Sequence, residues 1–165
     1  PTSFPAAGLT GTVAIANGGT GQATAADAFN AIKQSATESA TGVVELATAA
    51  ESQALTDATR SITPFTLAQS LKGANQLLAS KGYQKLPGGL IIQWGTDPVG
   101  NNTSADFSFP IAFPNAVLCA FGNKLYRQVD AGGGNAAGMF SISTSMYTVF
   151  TDNSGGNIGW IAVGY

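Results

Sequence analysis

The amino-acid sequence changes its pattern between Gly82 and Gly89, and this change limits the chain to a structure of two parts. Upstream of it, Ala and Thr predominate, and apolar residues recur at helical spacing in short segments. Downstream, short runs of alternating apolar and polar residues are separated by segments rich in Gly and Asn, which is the pattern of antiparallel strands and their loops. We therefore expect an elongated segment of short strands and short helices at residues 1–86, and a small β domain at residues 87–165.

Three helix starts are encoded in the first part. Residues 24–27 and 48–51 have the spacing of a capping box, in which a Thr hydroxyl accepts from an amide three residues on and the acidic side chain reaches back. Residues 63–64 combine a capping Thr with a Pro at the first helical position, where its missing N–H costs nothing. A further helical turn is predicted across residues 76–82.

These helices carry narrow apolar stripes, such as the pair Phe29 and Ile32. Because isolated helices of this length are marginal in water, stripes of this kind require partners. Several copies of the chain meeting on one axis would supply them. Extended segments at residues 12–16 and 42–46 each precede a capped helix, which gives a loose internal repeat typical of fibre shafts.

The second part of the chain predicts β-strands. The apolar run at residues 116–122 has the composition of a strand buried on both faces, and Cys119 within it is expected to be a buried small hydrophobe. The terminal segment, residues 159–165, alternates and ends the chain as a packed strand. The other predicted strands lie at residues 90–95, 125–129, 139–143 and 147–151. Strands this short and this close together predict a small antiparallel β-sandwich, so the fold class is mainly β.

Charge and histidine content exclude several kinds of function. Charged residues make up 10 % of the sequence, against about 25 % in ordinary soluble domains. The net charge of −2 offers no basic footprint for nucleic acid or an anionic membrane. Histidine is absent, which removes Ser-His and Cys-His catalysis and histidine-ligated metals, and we expect neither a cofactor nor a metal. No apolar run reaches the roughly 20 residues that cross a bilayer, and a start at Pro1 suggests a fragment of a longer chain.

Five segments carry a resemblance to a known family. Residues 15–22 contain a Gly-Gly-Thr-Gly fibre repeat, and residues 36–51 are similar to a second, longer fibre repeat. Residues 87–95, 109–114 and 160–165 are similar to the marks of a C-terminal tip domain. On these motifs the chain resembles bacteriophage tail-fibre proteins over nearly its full length, and the fibres of R-type bacteriocins are close relatives.

The resemblance implies a parallel homotrimer, with a shaft at residues 1–86 and a distal β-sandwich tip at residues 87–165. It also implies a place at the distal end of a virion tail fibre, joined to the remainder of the fibre and acting outside the cell. The family offers no catalytic motif, and its receptor contacts lie in variable loops. No receptor residue can therefore be transferred to this chain by position.

The loops of the second part hold the candidate receptor-binding residues. An aromatic ring, a guanidinium and amides around a glycine-rich loop suit saccharide hydroxyls and phosphates, although an ordinary hairpin tip uses the same residue types. Trp94 and Trp160 could stack on sugars, but their alternating strands favour packing in a core. The candidates are Tyr126, Arg127, Asp130, Asn135, Asn153 and Asn157.

Three functions are compatible with this sequence. The first is recognition of a bacterial surface receptor, with lipopolysaccharide or another glycan as ligand and an outer-membrane protein as the second choice. The second is a purely structural role as shaft and trimerisation segment. The third is a polysaccharide depolymerase, which needs two facing carboxylates. The β domain offers Asp97, Asp106, Asp130 and Asp152, all predicted in or beside loops, where Asp commonly serves turns, so we expect no enzyme.

Overall fold

The computed structural model describes residue 13 and residues 19–125, 136–141, 143–152 and 155–165. Its helices are α1 (Ala25–Ile32), α2 (Ala49–Ala54) and α3 (Pro64–Ser70), followed by a 3₁₀ turn at Gly73–Asn75. Its strands are β1 (Gln76–Leu77), β2 (Gly82–Lys85), β3 (Ile91–Val99), β4 (Thr103–Ser108), β5 (Val117–Lys124), β6 (Ala137–Ser141), β7 (Met146–Thr151) and β8 (Gly156–Gly164). No helix among these residues has the length and apolar character needed to cross a membrane.

The chain forms two compact units. The N-terminal unit comprises the described residues up to Leu46 together with Ala58–Ser61, and the C-terminal unit comprises Ala47–Asp57 and Ile62–Tyr165. Helix α1 lies in the first unit, whereas α2, α3 and all eight of the described strands lie in the second.

The N-terminal unit is held mainly by local hydrogen bonds. The Thr24 hydroxyl accepts from the amide of Asp27 at 3.1 Å, so α1 begins where the sequence predicts it. No residue of α1 is buried. Isolated parallel bridges join Ser35 to Val43 and Leu46 to Ser61, but they do not extend into a sheet.

Helices α2 and α3 begin with complete capping boxes. In α2 the Thr48 hydroxyl accepts from the Glu51 amide while the Glu51 carboxylate accepts from the Thr48 amide, as predicted. In α3 Thr63 exchanges the same pair of bonds with Thr66, and Pro64 occupies the first turn. The buried faces of these two helices are small and polar, so their large apolar side chains face outward.

The helical turn predicted for residues 76–82 is wrong, because this segment forms β1, a tight turn and the start of β2. Gly73 has φ 61°, so α3 does not continue through it and only a 3₁₀ turn follows. Gly82 lies against the ring of Trp94, where an added Cβ would come within 2.8 Å of Cζ2. The close approach of β2 to β3 therefore replaces the local helical preference with sheet hydrogen bonds.

The described strands form an antiparallel β-sandwich, which confirms the predicted fold class. One sheet has the order β1-β2-β3-β8-β5 and the other has the order β4-β7-β6. From β3 onward the chain runs up and down, with successive strands reversing direction. Strand β4 was missed by sequence analysis because its residues are mostly polar and its exposed positions carry no apolar pattern.

The core lies between the two sheets. Tyr147 from β7 and Trp160 from β8 have ring centroids 4.6 Å apart, and the ring of Phe109 contacts both. The Trp160 ring occupies space above Gly95, where an added Cβ would lie 2.4 Å from Cζ2. Burial of each large apolar side chain stabilises the fold by about 1.5–3 kcal/mol. Trp160 is therefore a core residue, as its alternating strand predicts.

Strand β5 differs from its prediction as a strand buried on both faces. Its inner face packs on the core, but Leu118 and Phe121 are more than half exposed and Cys119 is exposed. The predicted burial of Cys119 is thus wrong for the single chain, because no described element covers the outer face of β5. The strand predicted at residues 125–129 lies outside the described residues beyond Leu125, as does the extended segment at residues 12–16 except for Val13.

Candidate functional site

Three chain connections lie at one end of the sandwich. Since successive strands reverse direction, the β3–β4, β5–β6 and β7–β8 connections begin and end at one edge, which we call the loop end: the described residues 100–102, 125, 136, 152 and 155, with Asn157 at the start of β8. The strand register supports this placement, because Val99 pairs with Gly156 and Thr151 pairs with both Thr103 and Ala137. The sequence assigned residues 100–103, 132–135 and 152–157 to loops and residues 125–129 to a strand, and it could not show that the described ends of these segments share an edge.

The helices of the C-terminal unit join the opposite end. The Gln84 side-chain amide donates to the Leu71 carbonyl at 3.0 Å, which fixes the end of α3 against β2. The Tyr165 amide donates to the Ala116 carbonyl at 3.0 Å, so the last residue is also at that end. Strand β3 spans the distance between the two ends, about 27 Å at 3.4 Å per residue. The loop end therefore points away from α2 and α3.

Hydrogen bonds between side chains and backbone groups join the β3–β4 connection to the β7–β8 connection. The Asn101 side-chain oxygen accepts from the Gly155 amide, and the Thr151 hydroxyl donates to the Gly100 carbonyl at 2.7 Å. Asn102 adopts φ 49°, a left-handed conformation that Asn tolerates better than most residues. The β3–β4 turn is thus held against the β7–β8 connection by side chains that a glycine- and asparagine-rich sequence supplies.

Asp152 places a buried acceptor at the loop end. Its amide donates to the Ala136 carbonyl at 2.9 Å, which anchors it beside the start of β6. Its Oδ1 atom is buried and has no hydrogen-bond partner among the residues that the structure describes. A buried polar atom without a partner costs about 1–3 kcal/mol, and more when it is charged. This oxygen is therefore an acceptor that the described residues leave unused.

The sequence-predicted binding residues fall in two groups. Asn157 lies in β8 opposite Pro98, its side chain is exposed, and its carbonyl accepts from the Leu125 amide at 3.0 Å. It therefore belongs to the loop end. The remaining candidates lie outside the described residues: Tyr126, Arg127, Asp130, Asn135 and Asn153.

The described ends of the chain on either side of those candidates are at the loop end. Leu125 and Ala136 flank residues 126–135, and Asp152 and Gly155 flank residues 153–154. The five candidates therefore remain predicted binding residues. The described residues that flank them lie at the loop end of the sandwich.

A second polar cluster lies inside the core. The buried Asp97 carboxylate accepts from the Tyr147 hydroxyl, from Trp160 Nε1 at 2.7 Å and from Lys81 Nζ at 2.9 Å. The Lys81 ammonium also lies 5.1 Å from the centre of the Phe107 ring. Burial, and then the hydrogen bond to the neighbouring Asp97, raise the pKa of Tyr147 above its ordinary value.

This cluster corrects the placement of two carboxylates. Asp97 was predicted in or beside a loop but lies within β3, and Asp106 lies within β4 with its oxygen accepting from the Thr148 hydroxyl at 2.6 Å. The alternation from Ile91 to Val99 is a signal that could have placed Asp97 on the inner face. Each of these carboxylates is already occupied by protein donors, which is the arrangement of a structural acid.

Trp94 occupies neither a loop nor the core. It lies on the outer face of β3, half-buried, and its Nε1 donates to the Ala79 carbonyl at 3.0 Å. Among the residues that the structure describes, no group of three His, Cys, Asp or Glu side chains could hold a metal ion.

Sequence comparison identifies similar proteins. Residues 85–165 match the family model described as "Putative tail fiber protein gp53-like, C-terminal". The chain is also 33 % identical over 111 residues to the uncharacterized protein MJ0347 of Methanocaldococcus jannaschii. That alignment covers 58 % of this chain and 70 % of the relative.

Structure comparison identifies two solved fibres of the same fold. One is an N-truncated R2-type pyocin tail fibre, with a TM-score of 0.51 and 20 % identity, which matches all of this chain and 55 % of the fibre. The other is an R2 pyocin fibre of P. aeruginosa, with a TM-score of 0.52 and 20 % identity, of which the chain covers 38 %. The chain thus spans about half or less of these fibres, and at this identity the likeness is one of fold.

Proposed function

Because residues 85–165 match the family model of gp53-like tail-fibre C-terminal domains, we propose that the sandwich of this chain is the part of a fibre that binds the surface of a bacterial host. The observation that carries this proposal is the convergence of three connections at the end farthest from α2 and α3. The loop end carries the connections of the sandwich and no helix of this unit. We propose it as the part of the sandwich that meets a cell.

The chemistry of the loop end favours a glycan. The exposed amides of Asn101, Asn102 and Asn157 can donate and accept hydrogen bonds, and Asp152 adds an acceptor that has no partner within the described part of the chain. Sugar hydroxyls can donate to these oxygens and accept from the amide groups. We therefore propose lipopolysaccharide or another surface glycan as the ligand, and an outer-membrane protein as the second choice.

The residues outside the described part extend the proposed site. Tyr126, Arg127, Asp130, Asn135 and Asn153 belong to segments that begin and end at the loop end. An aromatic ring and a guanidinium next to amides would add stacking on sugar rings and bonds to phosphate oxygens. We keep them as proposed receptor contacts.

We propose that the chain forms a parallel homotrimer located at the distal end of a virion tail fibre. The helices support an assembly, because their large apolar side chains are exposed in the single chain, with Phe65 at 67 % and Ile32 at 67 %. Three loop ends on one particle would also raise the strength of a weak contact through effective concentration. With three sites acting together, a polar tip with few charges is sufficient to hold the fibre on a cell.

We propose no catalytic activity for this chain. The described carboxylates of the core and of β4 are occupied by protein donors, which is the arrangement of structural acids. A purely structural role remains the competing hypothesis. It predicts a stable assembly that binds no cell.

The test is adsorption of the labelled, assembled protein to a panel of Gram-negative strains that includes mutants with truncated lipopolysaccharide. We expect binding to a narrow set of strains and its loss upon truncation. Asp152→Asn should weaken that binding about tenfold, which corresponds to one charged hydrogen bond, while leaving thermal stability unchanged or higher.

Asp106→Asn is the matched control, since its carboxylate lies on β4 and is already bound by Thr148. It should bind cells like the parent protein. If the assembled parent binds none of the strains, including the natural host, the structural role is favoured. If Asp152→Asn binds as tightly as the parent, Asp152 is not a receptor contact.

A further inference from the structure

The turn between β1 and β2, residues 78–81, is fastened to the sandwich through side chains. Strand β1 pairs with β2 at two positions, and the first three residues of the turn are exposed. The Trp94 Nε1 atom donates to the Ala79 carbonyl at 3.0 Å. The Lys81 ammonium donates to the Asp97 carboxylate at 2.9 Å, and this ion pair joins the turn to the inside of the sandwich.

The Lys81 ammonium lies among aromatic rings as well as beside a carboxylate. The centres of the Phe107, Tyr147 and Trp160 rings are 5.1, 5.5 and 6.0 Å from its nitrogen. A cation within about 6 Å of a ring centre is attracted by the ring, and more strongly where water is excluded. The Asp97 side chain is only 4 % exposed. We call this carboxylate and these three rings the ammonium cage.

The ammonium cage is assembled by strands that do not include the turn. Asp97 lies in β3, Phe107 in β4, Tyr147 in β7 and Trp160 in β8. The Tyr147 hydroxyl and Trp160 Nε1 both donate to the Oδ2 atom of Asp97. Lys81 contacts the other oxygen, Oδ1. The core therefore orients the carboxylate independently of Lys81, and Oδ1 faces the position of the ammonium.

We infer that the ammonium cage is a binding site for a primary ammonium group, in which Lys81 is a tethered ligand that a free ammonium can replace. The site goes beyond receptor binding and uses none of the proposed receptor contacts. Its selectivity follows from Asp97, because a buried carboxylate that has lost its cation is strongly unfavourable. A neutral group of the same shape therefore does not fill the site. A cation restores both the ion pair and the contact with the rings.

The tether gives the site a conformational consequence. The ion pair holds residues 78–81 against the sandwich, and the two-residue strand β1 adds few hydrogen bonds of its own. A free ammonium in the cage satisfies Asp97 but makes no connection to the turn. Occupancy by Lys81 therefore fastens the turn, whereas occupancy by a free ligand releases it and leaves the core paired.

Lys81→Ala tests the site in the full chain, because this substitution removes the atoms of a propylammonium ion. A ligand present at twice its dissociation constant raises the folding equilibrium constant about threefold. We expect urea unfolding of Lys81→Ala to show a rise of at least that size in propylammonium chloride, relative to sodium chloride at the same ionic strength. The neutral 1-propanol should give no rise.

Lys85→Ala is the matched control. The Lys85 ammonium lies 5.8 Å from the centre of the Tyr83 ring, and no ion pair joins it to a carboxylate among the described residues. Propylammonium should stabilise this variant no more than sodium chloride does. An equal response of the two variants would overturn the inference, as would an equal response of Lys81→Ala to 1-propanol.

A second measurement uses the parent protein and does not depend on the folding of Lys81→Ala. If the turn is open in about 10 % of molecules, acylation of Lys81 should be about tenfold slower than that of the exposed Lys72, and the two should react alike in urea. Equal rates in the folded protein would place the ammonium outside the cage and contradict the inference.

Hydrogen exchange tests the tethered role of Lys81 in the folded variant. Amides of residues 78–81 should exchange faster in Lys81→Ala than in the parent, and they should remain fast when propylammonium fills the cage. Recovery of the parent exchange rates in propylammonium would show that Lys81 does not fasten the turn.

Discussion

The C-terminal sandwich and helix α1 of the N-terminal unit are stabilised in different ways. The sandwich has a continuous core in which Tyr147, Ile158 and Ala162 are completely buried. Helix α1 buries no residue, and its Phe29 and Ile32 are 54 % and 67 % exposed. Eight residues with one cap do not make a stable helix in water. The sandwich therefore contains its own driving force for folding, whereas α1 depends on partners.

Deleting residues 160–165 should have the largest effect on the folding of the sandwich. The deletion removes most of β8, which lies between β3 and β5 and supplies Trp160 and Ala162 to the core. We expect loss of soluble, folded sandwich, measured by circular dichroism and by sedimentation. Removing residues 1–46 instead should leave the sandwich folded. A truncated chain without residues 160–165 that still assembles would contradict this account.

Asp97→Ala tests the polar cluster within the core. It leaves Lys81, Tyr147 and Trp160 without their shared acceptor, and breaking a buried pair of this kind costs about 3–5 kcal/mol. Urea unfolding of the sandwich should show a loss of that order. Tyr147→Phe, which removes one donor and leaves two, should cost about 1 kcal/mol. Equal losses in the two variants would mean that the acceptor is not the critical group.

The stability of the sandwich should fall at alkaline pH because of Tyr147. Its pKa is raised in the folded state by burial and by Asp97, whereas in the unfolded chain it ionises near pH 10. The stabilisation is fully present below about pH 10 and is lost as the pH rises above that value, since only the unfolded state then releases the proton. Urea unfolding between pH 8 and 11 should show this decline, and Tyr147→Phe should show less of it.

The parts of the fold that are encoded locally were predictable from sequence. Capping residues such as Thr48 and Thr63 fixed the helix starts, and the alternation around Trp160 fixed its burial. Long-range contacts were not predictable. The segment that forms β1 and β2 has helical spacing, and only pairing with β3 makes it a sheet.

The same limit applies to the candidate site. Asn157 could be assigned to the site from its residue type. The unused acceptor of Asp152 could not, because the absence of a partner among the described residues is a property of the packed structure.

The border between the two parts of the chain, placed between residues 86 and 87, remains a prediction. Since β2 pairs with β3 along its length, a chain starting at residue 73 should be more stable than one starting at residue 87.

The smallest expected effect is the loss of a helix N-cap. It compares α3, whose helix packs into the C-terminal unit, with α1, whose helix buries no residue. Loss of an N-cap hydroxyl costs about 1 kcal/mol when the helix is otherwise held in place. Thr63→Ala should therefore lower the stability of the C-terminal unit by about that amount, since Thr66 and Ser70 of α3 are buried in it. Thr24→Ala should leave the unfolding of the sandwich unchanged, because α1 belongs to the other unit and buries nothing. A matching loss in Thr24→Ala would show that α1 is coupled to the sandwich, and the contrast between the two regions would then fail.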